Sequence, residues 1–208
     1  MRYDLVMFDF DGTLADSLPF LVSVFNRLAE RHGFSPVAPE DVAALRRLNA
    51  RQAMRQLGMP AWKLPIVARD FIRLMGDAPP VPLFPGVAEV LHHLTGRGVT
   101  LAIVSANAFE NIGRVLGPEL MRRIAHFECG ASVFGKRSRL RKVLTHSGAR
   151  PGRAMYIGDQ PTDLAAARAA QIAFGAVAWG YGDVAALQAL APDVMFTRPI
   201  DILGIVDA

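Results

Sequence analysis

The chain has 208 residues, 51% of them hydrophobic, which is enough for one core domain and a small accessory domain. No apolar run reaches the roughly 20 residues that a membrane span requires, and the amino terminus leads straight toward a strand, so a cytoplasmic protein with no membrane partner is expected. The net charge of +4 could serve nucleic acid, but the aromatic residues are not interleaved with the basic ones and no recognition motif appears, which points to a small anionic substrate instead.

The first apolar run, Leu5 to Phe8, predicts a buried strand that ends in Asp9, with Phe10, Asp11, Gly12, Thr13 and Leu14 directly after it. Alternation along the strand lets Asp9 and Asp11 point the same way while Phe10 returns to the core. Two carboxylates at a buried strand end are costly unless compensated, which argues for chemistry, although a bare Asp-x-Asp also fits a structural turn. Ser17 is a candidate cap for a helix to about Arg31, with Leu18, Leu21, Phe25 and Leu28 at helical spacing and Gly33 as its stop. Further helices are expected from near Pro39, over Ala50 to Leu57, and over Pro65 to Met75. Pro79, Pro80 and Pro82 then form a stiff connector. Residues 16–82 thus read as an all-helical insert, and residues 1–15 and 83–208 as the core.

Past Pro85 and Gly86 the pattern alternates. Helices are expected to about Thr95, over Phe109 to Leu116 and over Ser138 to Ser147. Strands are expected over Val99 to Val104, Ile124 to Cys129, Ala154 to Ile157, Ile172 to Val177 and Val194 to Phe196. Such alternation predicts an α/β fold with a Rossmann-like parallel sheet covered on both faces, whose ligands bind at the carboxyl ends of the strands. Asp9, Ser105 and Asp159 all stand at such ends. Asp9, Asp11, Asp159 and Asp163 in one pocket would repel one another, so a divalent cation is required, and Mg2+ fits an all-oxygen site. Asp159 and Asp163 also have a plain reading, in which Pro161 and Asp163 only begin a helix. The five histidines lack metal-ligand spacing, and the single Cys129 reads as a small buried side chain that suits a reducing compartment.

Taken together, DFDGTLADS at 9–17, the strand ending in Ser105, the pair Gly135–Lys136 and GDQPTD at 158–163 resemble the haloacid dehalogenase superfamily, in its phosphoglycolate phosphatase-like branch. AWGYG at 178–182 is a weaker match to the same branch. The resemblance covers nearly the whole chain and implies a magnesium-dependent phosphatase acting on a small phosphorylated metabolite. It implies Asp9 as the nucleophile that becomes an aspartyl phosphate, Asp11 as acid and then base, and Lys136 as the charge that neutralises the phosphoryl oxygens. Metal ligands would be the Asp9 carboxylate, the Asp11 carbonyl and the Asp159 carboxylate, with Asp163 orienting water or Lys136. Gly12, Thr13, Ser105, Ala106 and Asn107 would cradle the phosphate.

The chain departs from the family where Lys136 is followed by Arg137, Ser138 and Arg139, since many relatives have proline after this lysine. Lys142 is the only nearby rival, and it falls within the helical pattern of Leu140, Val143 and Leu144. The helical insert resembles the small cap that closes over such sites. There Arg47, Arg51 and Arg55 recur every four residues, either to meet an anionic substrate or as a solvated or dimer-forming face. Trp179 and Tyr181 read as packing residues, with Gly180 and Gly182 supplying positive dihedrals. A sugar phosphomutase and a catalytically silent binding relative are the alternatives, and the protein would be a monomer or a homodimer.

Overall fold

A computed structural model of the chain describes residues 3–38, 41–46, 50–76, 81–130 and 135–207. In chain order these form β1 (Leu5–Phe8), α1 (Leu18–His32), α2 (Val42–Arg46), α3 (Ala50–Gln56), α4 (Leu64–Gly76), α5 (Val87–Gly96), β2 (Thr100–Val104), α6 (Phe109–Met121), β3 (Ile124–Glu128) and α7 (Gly135–Ser147). They continue through β4 (Ala154–Gly158), α8 (Pro161–Ala170), β5 (Ala173–Val177), α9 (Val184–Ala189), β6 (Val194–Phe196) and α10 (Gly204–Asp207). The six strands make one parallel sheet in the order β3-β2-β1-β4-β5-β6. Among the described residues, no helix is long and apolar enough to cross a membrane.

Every residue of β1 and β4 is buried, because helices cover both faces of a parallel sheet. One face packs Val6, Phe8, Leu101, Ile103, Met155 and Ile157 beneath α5 and α6. The other packs Leu5, Met7, Ala102, Val104 and Tyr156 beneath α7 and α8. Strand order reverses direction between β1 and β4, and there Phe8 pairs with Ile157. Asp9 and Asp159 follow directly at the carboxyl ends of these two strands, where the outgoing chains diverge and leave a crevice.

The chain divides into two compact units, Met1–Asp16 with Val81–Ala208, and Ser17–Pro80. These boundaries differ slightly from 15/16 and 82/83, and hydrogen bonding explains why. Asp16 N donates to Pro82 O at 2.9 Å and Phe84 N to Leu14 O at 2.9 Å, so both connecting segments are held within the sheet-bearing unit. In the helical unit, Val24, Leu28, Ala29, Phe34 and Val67 form a separate core. Its loop after α1 is fixed by Asn26, whose side chain donates to Val37 O and accepts from Val37 N.

Three local expectations differ from the structure. Ser17 does not cap α1: its backbone is already helical and its buried hydroxyl makes no hydrogen bond among the described residues. The helical run of α6 breaks after Leu116 as expected, where Gly117 takes a non-helical φ of 67°, but a second short segment not foreseen from sequence starts at Pro118 and carries α6 to Met121. Helix α7 begins at Gly135 rather than near Ser138, so Lys136 lies in its first turn.

Gly175 lies in the middle of β5, where an added Cβ would stand 2.5 Å from the Phe196 ring and 3.3 Å from Ile157. Gly175→Ala should therefore destabilise the protein by about 1–3 kcal/mol through overpacking, read as a lower urea midpoint. An unchanged midpoint would show that this core face has room to relax.

Candidate active site

Asp9 leaves β1 only 6% exposed, and Asp159 and Asp163 are fully buried. One carboxylate oxygen from each lies within 4.8 Å of the others. Lys136, from the first turn of α7, donates to Asp9 Oδ2 at 2.8 Å and to Asp163 Oδ1 at 2.5 Å. Lys142, by contrast, is mostly exposed and pairs with Glu128 at 2.7 Å. The helical period separates the two lysines: Lys136 stands at the strand ends, and Lys142 lies more than a turn further along, where α7 passes β3.

These charges act strongly on one another. Burial, and then the Asp163 charge, raise the Asp9 carboxyl to about 7 despite the opposing influence of Lys136. For Lys136, burial works against the ammonium, but the Asp9 and Asp163 charges hold its pKa above the ordinary lysine value. Tyr156, fully buried at the base of the cluster, is pushed well above its usual value by burial and by the same two acids. Its hydroxyl lies 3.3 Å from Asp163 Oδ1 and from Val104 O. The Lys136 ammonium also sits 5.9 Å from the Tyr156 ring centre, within cation–π range.

Asp163 joins the two roles that its sequence context left open. Its Oδ2 accepts from Gln160 N at 3.1 Å, which ties down the amino end of α8, while its Oδ1 accepts from Lys136 and Tyr156. Both oxygens are thereby engaged by protein, one of them by the Lys136 ammonium. Asp159 Oδ2 accepts from Gln160 Nε2 and from Tyr181 N, each at 2.8 Å. The carboxylates at 9 and 159 form an all-oxygen donor set whose negative charge exceeds what Lys136 supplies, and Mg2+ fits both the chemistry and the charge.

Asp11 is half-buried and stands outside this acidic group; Asn107 Nδ2 donates to its Oδ2 at 3.0 Å and its Oδ1 at 3.3 Å. Ser105, almost fully buried, accepts from Asn107 N at 3.1 Å through its hydroxyl. Ala106 lies between them in the turn that precedes α6. Thr13 is fully buried, its carbonyl accepts from Trp179 Nε1 at 3.0 Å, and its hydroxyl has no hydrogen-bond partner among the described residues. The structure thus brings Asp9, Asp159, Asp163 and Lys136 into one cluster, with Asp11, Asn107 and Ser105 linked beside it. Arg47 lies outside the described residues. Arg51 falls on α3 with no described side chain, and Arg55 is exposed.

The 178–182 segment does more than pack. Gly180 and Gly182 are absent from the residues with positive φ, so dihedral freedom is not their reason. A Cβ on Gly182 would overlap the Asp159 carbonyl oxygen at 1.7 Å, and one on Gly180 would lie 2.3 Å from Asp159 Cβ and 2.4 Å from Gly12 O. Gly12 does adopt a φ of 83°, and its Cβ would fall 2.5 Å from Asp159 Oδ2. Three glycines therefore let backbone close around Asp159, and spacing alone could not reveal this. Tyr181 secures the arrangement through its phenol, which donates to Asp16 Oδ1 at 2.6 Å. Gln160 and Tyr156 are further contributors that the motif pattern did not single out.

Comparison with known proteins agrees with this geometry. Residues 6–177 match the family model of haloacid dehalogenase-like hydrolases. A phosphoglycolate phosphatase of Synechococcus elongatus is 36% identical over 95% of this chain and 94% of its own. The tyrosine-protein kinase PtkA of Mycobacterium tuberculosis is 34% identical over 86% of this chain and 63% of its own. Among solved structures, a predicted phosphoglycolate phosphatase from Haemophilus somnus superposes with a TM-score of 0.86 at 23% identity, covering 99% of this chain and 98% of that one. With an acid cluster at the switch point of a parallel sheet and a family model matched over most of its length, this chain belongs to the haloacid dehalogenase-like hydrolases.

Proposed function

We propose that the protein is a magnesium-dependent phosphatase that hydrolyses a small phosphorylated metabolite through an aspartyl phosphate on Asp9. The observation that carries this reading is the buried Asp9 carboxylate held by Lys136 at the sheet's switch point, with Asp159 close by. Similarity to the Synechococcus phosphoglycolate phosphatase over nearly the full length of both chains supports a two-carbon, acid-bearing ester as substrate.

Asp9 attacks phosphorus in line, and the bond from phosphorus to the leaving oxygen breaks as Asp11 gives that oxygen its proton. Asp11 then takes a proton from water, whose oxygen attacks phosphorus and frees Asp9 and inorganic phosphate. Lys136 fixes the nucleophile and offsets charge on the phosphoryl oxygens. The buried Thr13 hydroxyl, Ser105 and the backbone at Gly12, Ala106 and Asn107 form the cradle for those oxygens. The Asp9 and Asp159 carboxylates and the Asp11 carbonyl would hold Mg2+, which would supply charge neutralisation at the phosphoryl group. Residues 16–82 act as a cap that selects the leaving group, with Arg47 and Arg51 meeting the substrate's own anion.

Assays of phosphate release from a panel of phosphorylated metabolites with Mg2+ test the reading directly. The highest kcat/KM is expected for a short, acidic monoester, and an isomerised sugar phosphate without free phosphate would instead establish a mutase. Asp9→Asn should lower turnover of p-nitrophenyl phosphate by more than about a thousandfold, and chelation should abolish wild-type activity until Mg2+ is restored. Substantial turnover by Asp9→Asn would remove it as nucleophile. Arg47→Ala or Arg51→Ala should raise KM for the metabolite more than for p-nitrophenyl phosphate, and equal effects would assign these arginines to the solvated surface.

The shift at Asp9 also links stability to pH. Its folded pKa of about 7 lies above the ordinary 3.8, so ionising it costs the metal-free fold free energy. That penalty is absent below about pH 4, grows as pH rises toward 7 and is constant beyond, reaching the order of a few kcal/mol. In chelator-treated protein, Asp9→Asn should therefore raise the unfolding temperature by several degrees at pH 8, with a smaller gain toward pH 5. No gain at pH 8 would mean that Lys136 fully compensates the carboxylate.

A further inference from the structure

Arg139 lies on α7 three residues after Lys136, is only 8% exposed, and has no evident place in phosphoryl transfer. A buried guanidinium is costly compared with an apolar side chain of similar volume, so its hydrogen bonds need a reason. Both go to main-chain carbonyls at the ends of neighbouring strands: one amino group donates to Ser105 O, just past β2, and the other to Gly130 O, just past β3. Gly130, with a φ of 86°, also donates its N–H to Asn107 O at 2.7 Å. Ser105 accepts from Asn107 N through its hydroxyl, and the Asn107 side-chain nitrogen donates to Asp11. The two branches from Arg139 thus meet at Asn107, and Asn107 holds the Asp11 carboxylate.

We propose that Arg139 is a positioning residue for the proton-transfer step, setting Asp11 through Ser105, Gly130 and Asn107. One helical turn of α7 therefore serves both halves of the reaction: Lys136 orders the nucleophile and Arg139 orders the acid. Arg suits this task because its planar fork reaches two carbonyls at a fixed separation, whereas a lysine ammonium offers a single point of attachment. The proposal rests on the phosphatase reading, in which Asp11 protonates the leaving oxygen as its bond to phosphorus breaks.

Leaving-group dependence separates this role from a merely structural one. A p-nitrophenolate leaves readily without a proton, but an alkoxide does not, so misplacing the acid harms alkyl phosphates selectively. Arg139→Met should lower kcat/KM, which reports phosphoryl transfer to Asp9 and not the hydrolysis step common to both esters, at least tenfold more for an alkyl phosphate than for p-nitrophenyl phosphate, and Arg139→Lys should give an intermediate ratio. Asn107→Ala should show the same selectivity, and adding Arg139→Met to it should increase that selectivity little, since both act on one chain of contacts. Equal losses on the two esters, no loss, or additive selectivity in the double variant would overturn the proposal. If Arg139→Met fails to fold, Arg139→Lys and Asn107→Ala carry the test, and an unchanged ester ratio in both refutes it. Wild-type protein that hydrolyses neither ester would refute the phosphatase reading itself, whereas an active wild type with ratio-neutral variants refutes only the role of Arg139.

Discussion

The Lys136 ammonium is wedged between two buried carboxylates, and the geometry around it follows from that contact. At 2.8 Å and an effective dielectric constant of about 20, its attraction to Asp9 is worth roughly 6 kcal/mol before the cost of removing both charges from water. Desolvation offsets much of that gain, as the raised Asp9 pKa records. One ammonium cannot balance Asp9, Asp159 and Asp163 together. The remaining negative charge at the strand ends fits a divalent cation. There β1 and β4 run out, and amides of the following turns can reach carboxylates that the sheet interior could never satisfy.

The two faces of the sheet bear the cost of that arrangement. Fully buried β1 and β4 join two separate apolar cores, one against α5 and α6 and one against α7 and α8. Burial on this scale contributes far more than the cost of one frustrated charge cluster. Placing the charges at the ends of the strands leaves the interior ladder intact: Asp9 N still donates to Ile157 O at 2.9 Å. The segments that lead to and from the helical unit are zipped together by the bonds from Asp16 to Pro82 and from Phe84 to Leu14. Tyr181 touches both the Asp159 carboxylate and Asp16, so the acid cluster and the outgoing connector share one anchor.

Much of this is legible in the sequence because it rests on local signals. An apolar run that stops at an acid or a hydroxyl marks a strand end whatever surrounds it, so the residue pattern by itself places Asp9, Ser105 and Asp159. Lys136 is separated from Lys142 by the apolar stripe of Leu140, Val143 and Leu144 alone. Features that depend on distant backbone are not legible in this way. Gly180 and Gly182 look like ordinary turn glycines, yet the constraint on Gly182 is the Asp159 main chain and that on Gly180 is the Asp159 side chain and the Gly12 carbonyl. Ser17 carries the right side chain for a cap, but its helical backbone leaves the hydroxyl without that use. Gly117 and Pro118 signal a helix end by every local rule, and only the packing of Leu120 against the core beneath the sheet explains why α6 resumes.

Arg139 shows how tertiary context changes the meaning of a charge run. In sequence, Lys136, Arg137, Arg139, Arg141 and Lys142 form one basic stretch. Folding sorts them by helical phase: Lys136 and Arg139 turn toward the strand ends, while Arg137, Arg141 and Lys142 remain exposed. Three residues advance a helix by roughly 300°, so side chains at 136 and 139 share one face and lie about 4.5 Å apart along the axis. That spacing lets a single rigid helix address the ends of β1 and β2 at once. A rotation of α7 that weakened the Lys136 contact with Asp9 would also strain the Arg139 contact with Ser105. Asp9, through Lys136, and Asp11, through the contacts of Ser105 and Asn107, are thereby tied to one element, without a direct bond between them.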